Sequence, residues 1–156
     1  MIKVSIGQDS HRFDFEDQDK KLVLGGIALE GPPLLGNSDA DVVLHALTNA
    51  ISGITGVNIL GAVADKMCLQ EGITDSTAYL AEALKYLKGE VCHVSFSLEC
   101  AAPKLSPHIP RMKERIAELL KISPSNIGIT ATTGEGLTDF GRGLGIQCFC
   151  ILTVDE

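Results

Sequence analysis

The sequence predicts an α+β fold, a roughly four-stranded mixed sheet with helices on one face. Three observations predict it. Apolar residues alternate with polar ones near both ends of the chain and once in its middle, which is the period of strands. Between those runs lie three amphipathic stripes with the helical period of about 3.6 residues. Helical and extended segments are segregated rather than strictly alternating, and the last two extended runs read as a closing hairpin. The 156 residues fit one domain spanning 1–156, long enough to bury a core without disulfide or metal staples.

Each element follows from its residues. Ile2, Val4 and Ile6 alternate with Lys3 and Ser5, so residues 2–8 are expected to form a strand with that apolar face in the core. The run from Leu22 to Leu29 is broken by Gly25-Gly26 and reads as two short strands or a bulged hairpin. Gly31-Pro32-Pro33 is a loop. Ser38 is the expected N-cap of the first helix, with Asp39 and Asp41 in the positive first turn and Asp41 at the capping-box position. Val43, Ala46, Leu47, Ala50, Ile51 and Ile54 trace its inner stripe. A second helix begins near Asp75-Ser76, buries Tyr79, Leu80, Ala83, Leu84 and Leu87, and stops at Gly89. Cys92, Val94, Phe96 and Leu98 alternate with polar residues as a strand. Ser106-Pro107 opens a third helix, with proline where no backbone donor is needed and Ile109, Met112, Ile116 and Leu119 facing inward. Ile127 to Thr132 and Leu144 to Val154 are the closing strands, joined by a glycine-rich link between Gly134 and Gly143.

Composition removes several function classes. Thirteen Lys+Arg against twenty Asp+Glu give a net charge of −7, the wrong sign for a nucleic-acid surface. The five cysteines include no CxxC pair, so reduced thiols are expected, with Cys92, Cys148 and Cys150 acting as small core hydrophobes. Val42 to Ala64 lacks Asp, Glu, Lys and Arg, but His45, Thr48, Asn49 and three glycines make it a buried helix and loop rather than a membrane span. The N-terminal MIKVSIGQDSHRF is too polar for a secretory signal, which favours a cytoplasmic location.

Three clusters could carry chemistry. Asp9 and His11, two apart on an extended backbone, point to the same side and are suited to Zn²⁺; a surface or capping role is the plainer alternative. His45 stands one turn after Asp41, either as a satisfied core histidine or as a third ligand. In the latter case Asp, His and His leave one position open, the pattern of catalytic zinc, and Asp41 or another carboxylate could support the imidazole. His93 and His108 are expected to be structural. The stretch Ala131-Thr132-Thr133-Gly134-Glu135 with Gly141-Arg142-Gly143 offers hydroxyls, amides and a cation for phosphate, although glycine-rich turns are commonly only turns. Glu135 adds an oxygen donor suited to Mg²⁺, and Lys104 is an isolated cation after Ala102-Pro103.

Together these blocks resemble one family, the 2-C-methyl-D-erythritol 2,4-cyclodiphosphate synthases of the non-mevalonate isoprenoid pathway. The resemblance rests on Asp9-Ser10-His11-Arg12-Phe13, Ser38-Asp39-Ala40-Asp41-Val42 through His45-Ala46-Leu47, Ala102-Pro103-Lys104 with Pro107-His108-Ile109-Pro110, Ala131-Thr132-Thr133 with Glu135, and Gly141-Arg142-Gly143. It implies a homotrimer with active sites between subunits, and Zn²⁺, one per subunit, on Asp9, His11 and His45. It further implies Mg²⁺ or Mn²⁺ held by Glu135 against the substrate diphosphate. Ala102, Pro103, Lys104, Thr132 and Thr133 would receive the cytidine and phosphates, with Thr133 steadying the transition state and Arg142 also on the substrate side. Asp9, Ser10, His11, Ser38, Ile59 and Gly61 would line the rest of the substrate site. The implied reaction is intramolecular phosphoryl transfer: the 2-phosphate of 4-diphosphocytidyl-2-C-methyl-D-erythritol 2-phosphate attacks the β-phosphorus and expels CMP. One unit-charge pair at 4 Å is worth roughly 4 kcal/mol at an effective dielectric of 20, so divalent ions are what lets an acidic chain bring two phosphates together. The implied location is a bacterial cytoplasm, a mature plastid form being the alternative.

Departures from the family pattern mark where contacts should differ. Asn37 stands where the family usually has a catalytic His, and it can donate a hydrogen bond but carries no charge. Ala64-Asp65-Lys66 replaces Phe-Pro-Asp, and Phe140 is displaced as Asp139-Phe140. Leu144 replaces a common acidic residue, leaving Arg142 to find another partner. Two rival readings share the same residues: a zinc phosphohydrolase using metal-bound water, and a non-catalytic trimer that binds a nucleotide or an isoprenoid diphosphate.

Overall fold

The structure is a computed structural model that describes residues 1–156. Its strands are β1 (Ile2–Arg12), β2 (Leu22–Leu24), β3 (Ile27–Leu29), β4 (Glu90–Glu99), β5 (Ile127–Thr132) and β6 (Gly145–Asp155). Its α-helices are α1 (Val42–Thr55), α2 (Ala62–Asp65), α3 (Ser76–Leu84) and α4 (Ile109–Leu120). The fold is α+β, and the main sheet is four-stranded and mixed, in the order β1-β6-β4-β5. The pair β2-β3 stands apart, turning through Gly25 and Gly26, whose φ values of 61° and 76° are open to glycine at little cost.

The expected closing hairpin does not form. β6 inserts between β1 and β4, antiparallel to both, while β5 pairs parallel with β4. Parallel strands need a long crossover, and α4 supplies it between β4 and β5. The link from Thr133 to Leu144 is too long for a tight turn and carries the chain past the end of β4.

β1 departs from its predicted orientation in a way that matters for the site. Val4 and Ile6 are 63% and 64% exposed, and Ile2 is exposed beside them, so the apolar face points away from the core. The inward face carries Lys3, Ser5, Gly7, Asp9 and His11. The cause is the close approach of α1: a Cβ on Gly7 would sit 1.9 Å from the Ala46 carbonyl oxygen, and Ser5 Oγ donates to the Ala50 carbonyl at 2.5 Å. Larger inward side chains would push the helix off the strand. β1 also runs on through Arg12, so Asp9 and His11 lie inside a paired strand rather than beyond its end.

The core lies between the sheet and the helices. α1 contributes Leu44, Leu47 and Ile51, α3 Tyr79 and Leu80, and α4 Met112 and Ile116. They meet Phe96 and Leu98 of β4 and the alternating Ile146, Cys148, Cys150, Leu152 and Val154 of β6. Cys92 is exposed instead of buried, because the pairing of β4 with β6 shifts between Val91 and His93 and this bulge turns the extra residue outward. All five cysteines are free thiols. After α1 the chain forms α2 and a π-helical turn at Lys66–Gln70, where only a loop was expected. No helix is long and apolar enough to cross a membrane.

Candidate metal centre and active site

Asp9 and His11 project from the α1-facing side of β1, and His45 meets them from the first turn of α1. That helix starts at Asp41, not at Ser38. Ala40 adopts a left-handed φ of 58°, which interrupts any helical path upstream, and Ser38 Oγ only accepts the Ala40 amide at 3.1 Å. Asp41 accepts from Val43 N and Leu44 N at 3.1 and 3.0 Å and from Gly25 N and Gly26 N at 2.9 and 2.8 Å. One fully buried carboxylate thus ties the β2-β3 turn to the helix start, and burial pushes it up to about 6. Asp41 therefore orients the helix that carries His45 and makes no bond to the imidazole.

Asp9 Oδ2 lies 3.1 Å from His45 Nδ1 and 3.2 Å from His11 Nε2. The ligand atoms of the trio all fall within 4.8 Å of one another. The outer ring nitrogens are occupied. His11 Nδ1–H donates to the Leu35 carbonyl at 2.8 Å, which turns Nε2 toward Asp9. His45 Nε2–H donates to Ser76 Oγ at 2.8 Å, since the Ser76 proton is given to Asp39; Asp39 also accepts the Ser76 amide at 3.0 Å. His45 Nδ1 is thereby left facing Asp9. The carboxylate behind the imidazole is Asp39, acting through Ser76 rather than Asp41. Both outer contacts are of the kind that orients metal-bound histidines.

Electrostatics fits a cation. Burial would raise the Asp9 carboxyl, but hydrogen bonds and charge from His11 and His45 outweigh it and hold Asp9 below the usual carboxylate range. His11 is pushed above an ordinary imidazole, chiefly by its hydrogen bond to Asp9 and against the effect of burial. One carboxylate and two imidazoles converge, a donor set that suits Zn²⁺ once an ion displaces the protons they share.

The trio opens into a cleft of about 390 Å³, walled by Asn37, Ser38, Gly61, Asp65, Cys68 and Tyr79. The Cys68 thiol donates to the Asn37 carbonyl at 3.3 Å. Among the expected site residues, Asn37, Ser38 and Gly61 thus join the metal trio. Ser10 faces the opposite side of the sheet, beside Arg12, Phe13 and Leu144 in a separate hollow. Ile59 is 1% exposed and packs in the core.

The remaining expected residues form a second group at the same end of the sheet. Asp9 shares a row across the strands with Cys148, Leu98 and Ala131, so Thr132 and Thr133 sit level with the metal trio but on the far edge. Three strand spacings of about 4.8 Å put roughly 14 Å between β1 and β5. Ala102 and Lys104 are exposed on the adjoining loop, which the Cys100 thiol braces through the Ala102 carbonyl at 2.9 Å. Glu135 is exposed in a left-handed turn at φ 50°. Glu99 anchors the glycine-rich link by accepting from Thr138 Oγ1 at 2.5 Å. Arg142 pairs with Asp139 at 2.6 Å, the substitute partner, and stays exposed. His93 is exposed on the sheet, and His108 lies half-buried just before α4. Sequence reasoning missed the roles of Ser76, Asp39, Glu99 and the Leu35 carbonyl; the first two stand at helix starts, where polar residues read simply as caps.

The chain is similar to known proteins over nearly its whole length. A protein of Chlamydia muridarum named 2-C-methyl-D-erythritol 2,4-cyclodiphosphate synthase is 52% identical over 159 aligned positions, covering 100% of this chain and 89% of that protein. A solved structure of a 2C-methyl-D-erythritol-2,4-cyclodiphosphate synthase superposes with a TM-score of 0.86 at 28% identity, covering 98% of this chain and 100% of the other. A CDP-bound form of such a synthase superposes equally, with a TM-score of 0.86 at 26% identity and the same coverage. The YgbB family matches residues 2–155. With nearly every residue aligned and the strand and helix framework shared, this chain belongs to the YgbB family.

Proposed function

We propose that this chain converts 4-diphosphocytidyl-2-C-methyl-D-erythritol 2-phosphate to 2-C-methyl-D-erythritol 2,4-cyclodiphosphate and CMP, as a phosphorus-oxygen lyase of isoprenoid precursor biosynthesis. The observation that carries the reading is the convergence of Asp9, His11 and His45 at the mouth of a polar cleft, with both outer imidazole nitrogens already satisfied. The relatives named for this reaction and the CDP-bound neighbour support the same substrate class.

Asp9, His11 and His45 would hold Zn²⁺, one per subunit, and Glu135 would help hold Mg²⁺ or Mn²⁺ against the diphosphate. When bound, these ions supply charge neutralisation at the two phosphates. The chain's own residues position the substrate. Asn37 donates its amide to a phosphate, and Ser38, Gly61 and Asp65 face the polyol. Thr132 and Thr133 offer hydroxyls, Thr133 to the phosphorus being attacked, and the Ala102-Pro103-Lys104 loop receives the cytidine. Ser10, Ile59 and Arg142 act at longer range, through the strand and loops that frame the cleft. In the transfer, a 2-phosphate oxygen forms the new bond to the β-phosphorus, the bridging P–O bond breaks, and CMP leaves with the electron pair. No protein nucleophile is needed, because the attacking oxygen belongs to the substrate.

A homotrimer supports this division of labour. The two groups lie on opposite edges of one sheet, so a compact site needs one edge from each of two subunits. Ile2, Val4 and Ile6 line an uncovered sheet face with Ile151 and Phe149, an apolar area suited to burial against sister chains. The proposed setting is a bacterial cytoplasm.

Incubating the protein with the cytidylyl substrate, Zn²⁺ and Mg²⁺, and reading products by phosphorus NMR, tests the reaction. A cyclic diphosphate with equimolar CMP is expected. A linear product would replace the synthase with a hydrolase, and nucleotide binding without turnover would replace it with a sensor.

A further inference from the structure

Lys20 lies outside the cleft and outside every motif considered above, yet its ammonium is committed to a single task. It donates to the Leu34 carbonyl at 2.7 Å and to the Gly36 carbonyl at 3.1 Å. Those carbonyls bracket Leu35, whose own carbonyl accepts from His11 Nδ1 at 2.8 Å. The Leu34 and Gly36 carbonyls both turn toward Lys20, and the Leu35 carbonyl between them turns toward His11. The Leu35 amide donates to the Arg12 carbonyl at 2.8 Å, fixing the Leu34–Leu35 peptide on the side opposite Lys20. Gly36 lies flat against the imidazole, where a Cβ would come within 3.3 Å of His11 Cε1.

The lysine is itself presented by a built loop. Asp14 Oδ1 accepts the Glu16 and Asp17 amides at 3.1 and 3.3 Å, and Asp17 Oδ1 accepts the Asp19 and Lys20 amides at 2.9 Å each. Two consecutive aspartate turns thus set the Lys20 backbone.

We propose that Lys20 is a positioning residue for the metal centre: by clasping the carbonyls on either side of Leu35, it holds the Leu35 carbonyl on His11 Nδ1 and so aims Nε2 at the ion. The proposal rests on the metal reading above. Without this charge–dipole clasp, the Leu34–Gly36 peptides can rotate, the Leu35 carbonyl lets go of Nδ1, and the ring is no longer held with Nε2 toward Asp9 and the ion.

Lys20→Met and Lys20→Arg test it with two readouts. The first is the nitrogen–proton NMR spectrum of the metal-free protein at mildly acidic pH, where both His11 nitrogens carry protons and protection of the Nδ1–H signal from solvent exchange reports its bond to the Leu35 carbonyl. The second is zinc affinity from chelator competition. Lys20→Met is expected to lower zinc affinity by about tenfold and to remove the protection of His11 Nδ1–H. Lys20→Arg, which can donate to both carbonyls, is expected to restore both. A Lys20→Met protein that keeps wild-type zinc affinity and a protected Nδ1–H, even with a lowered melting temperature, overturns the proposal. Should that variant not fold, Lys20→Gln carries the same two expectations and the same overturning result. If the wild type binds no zinc, the metal reading fails on its own, and the Nδ1–H readout still decides the role of Lys20.

Discussion

At the scale of single residues, the site is a matter of which ring nitrogens are turned toward Asp9. His11 and His45 each commit one nitrogen to the protein and direct the other at Asp9, so neither must reorganise to take an ion. His45→Ala removes a ligand and leaves Ser76 and Asp39 hydrogen-bonded to each other. It is expected to lower zinc affinity by more than about a hundredfold and to abolish turnover, with the circular dichroism spectrum unchanged. Unchanged zinc stoichiometry in that variant would refute the ligand assignment. These three residues are legible in the sequence because a two-residue spacing on a strand and an unusual histidine in an apolar helix both stand out. Ser76 and Leu35 are not legible, since one contributes a hydroxyl and the other only a carbonyl, and both acquire meaning from residues distant in the chain.

At the scale of elements, the contact between β1 and α1 decides whether Asp9 and His45 meet. The helix lies so close that Gly7 has no room for a Cβ, with the Ala46 carbonyl at 1.9 Å and the Ala50 amide at 2.6 Å. Both obstacles are backbone and cannot swing aside. Gly7→Ala is therefore expected to cost about 3 kcal/mol in a urea unfolding titration and to weaken zinc binding as the helix withdraws. Wild-type stability and zinc affinity in that variant would show that the helix tolerates the shift. The positions of α1, α3 and α4 and the β2-β3 hairpin follow from periodicity and glycine placement; α2 and the π-helical turn after it do not. The facing of β1 does not, because alternation shows that two faces differ but not which one meets the core. The place of β6 is likewise hidden, since the long link from Thr133 to Leu144 is compatible with several pairings.

At the scale of the whole molecule, the sheet separates what the chemistry must unite. The metal trio stands at the β1 edge and the threonines at the β5 edge, and the uncovered apolar face runs between them. Replacing Ile6 and Ile151 with lysine is expected to yield monomers by light scattering that retain zinc affinity but have lost turnover. Monomers that still turn over would mean that one chain suffices. Composition foretells the acidic surface and the aliphatic core; it is silent on the face, because Ile2, Val4 and Ile6 look the same whether they meet a helix or a sister chain. In the proposed trimer, that greasy flank would also shape the life of a newly made polypeptide. Wet and adhesive until sister chains arrive, it would make the yield of usable protein climb more steeply than the amount synthesised, and a sparse producer would lose proportionally more of its output to clumping.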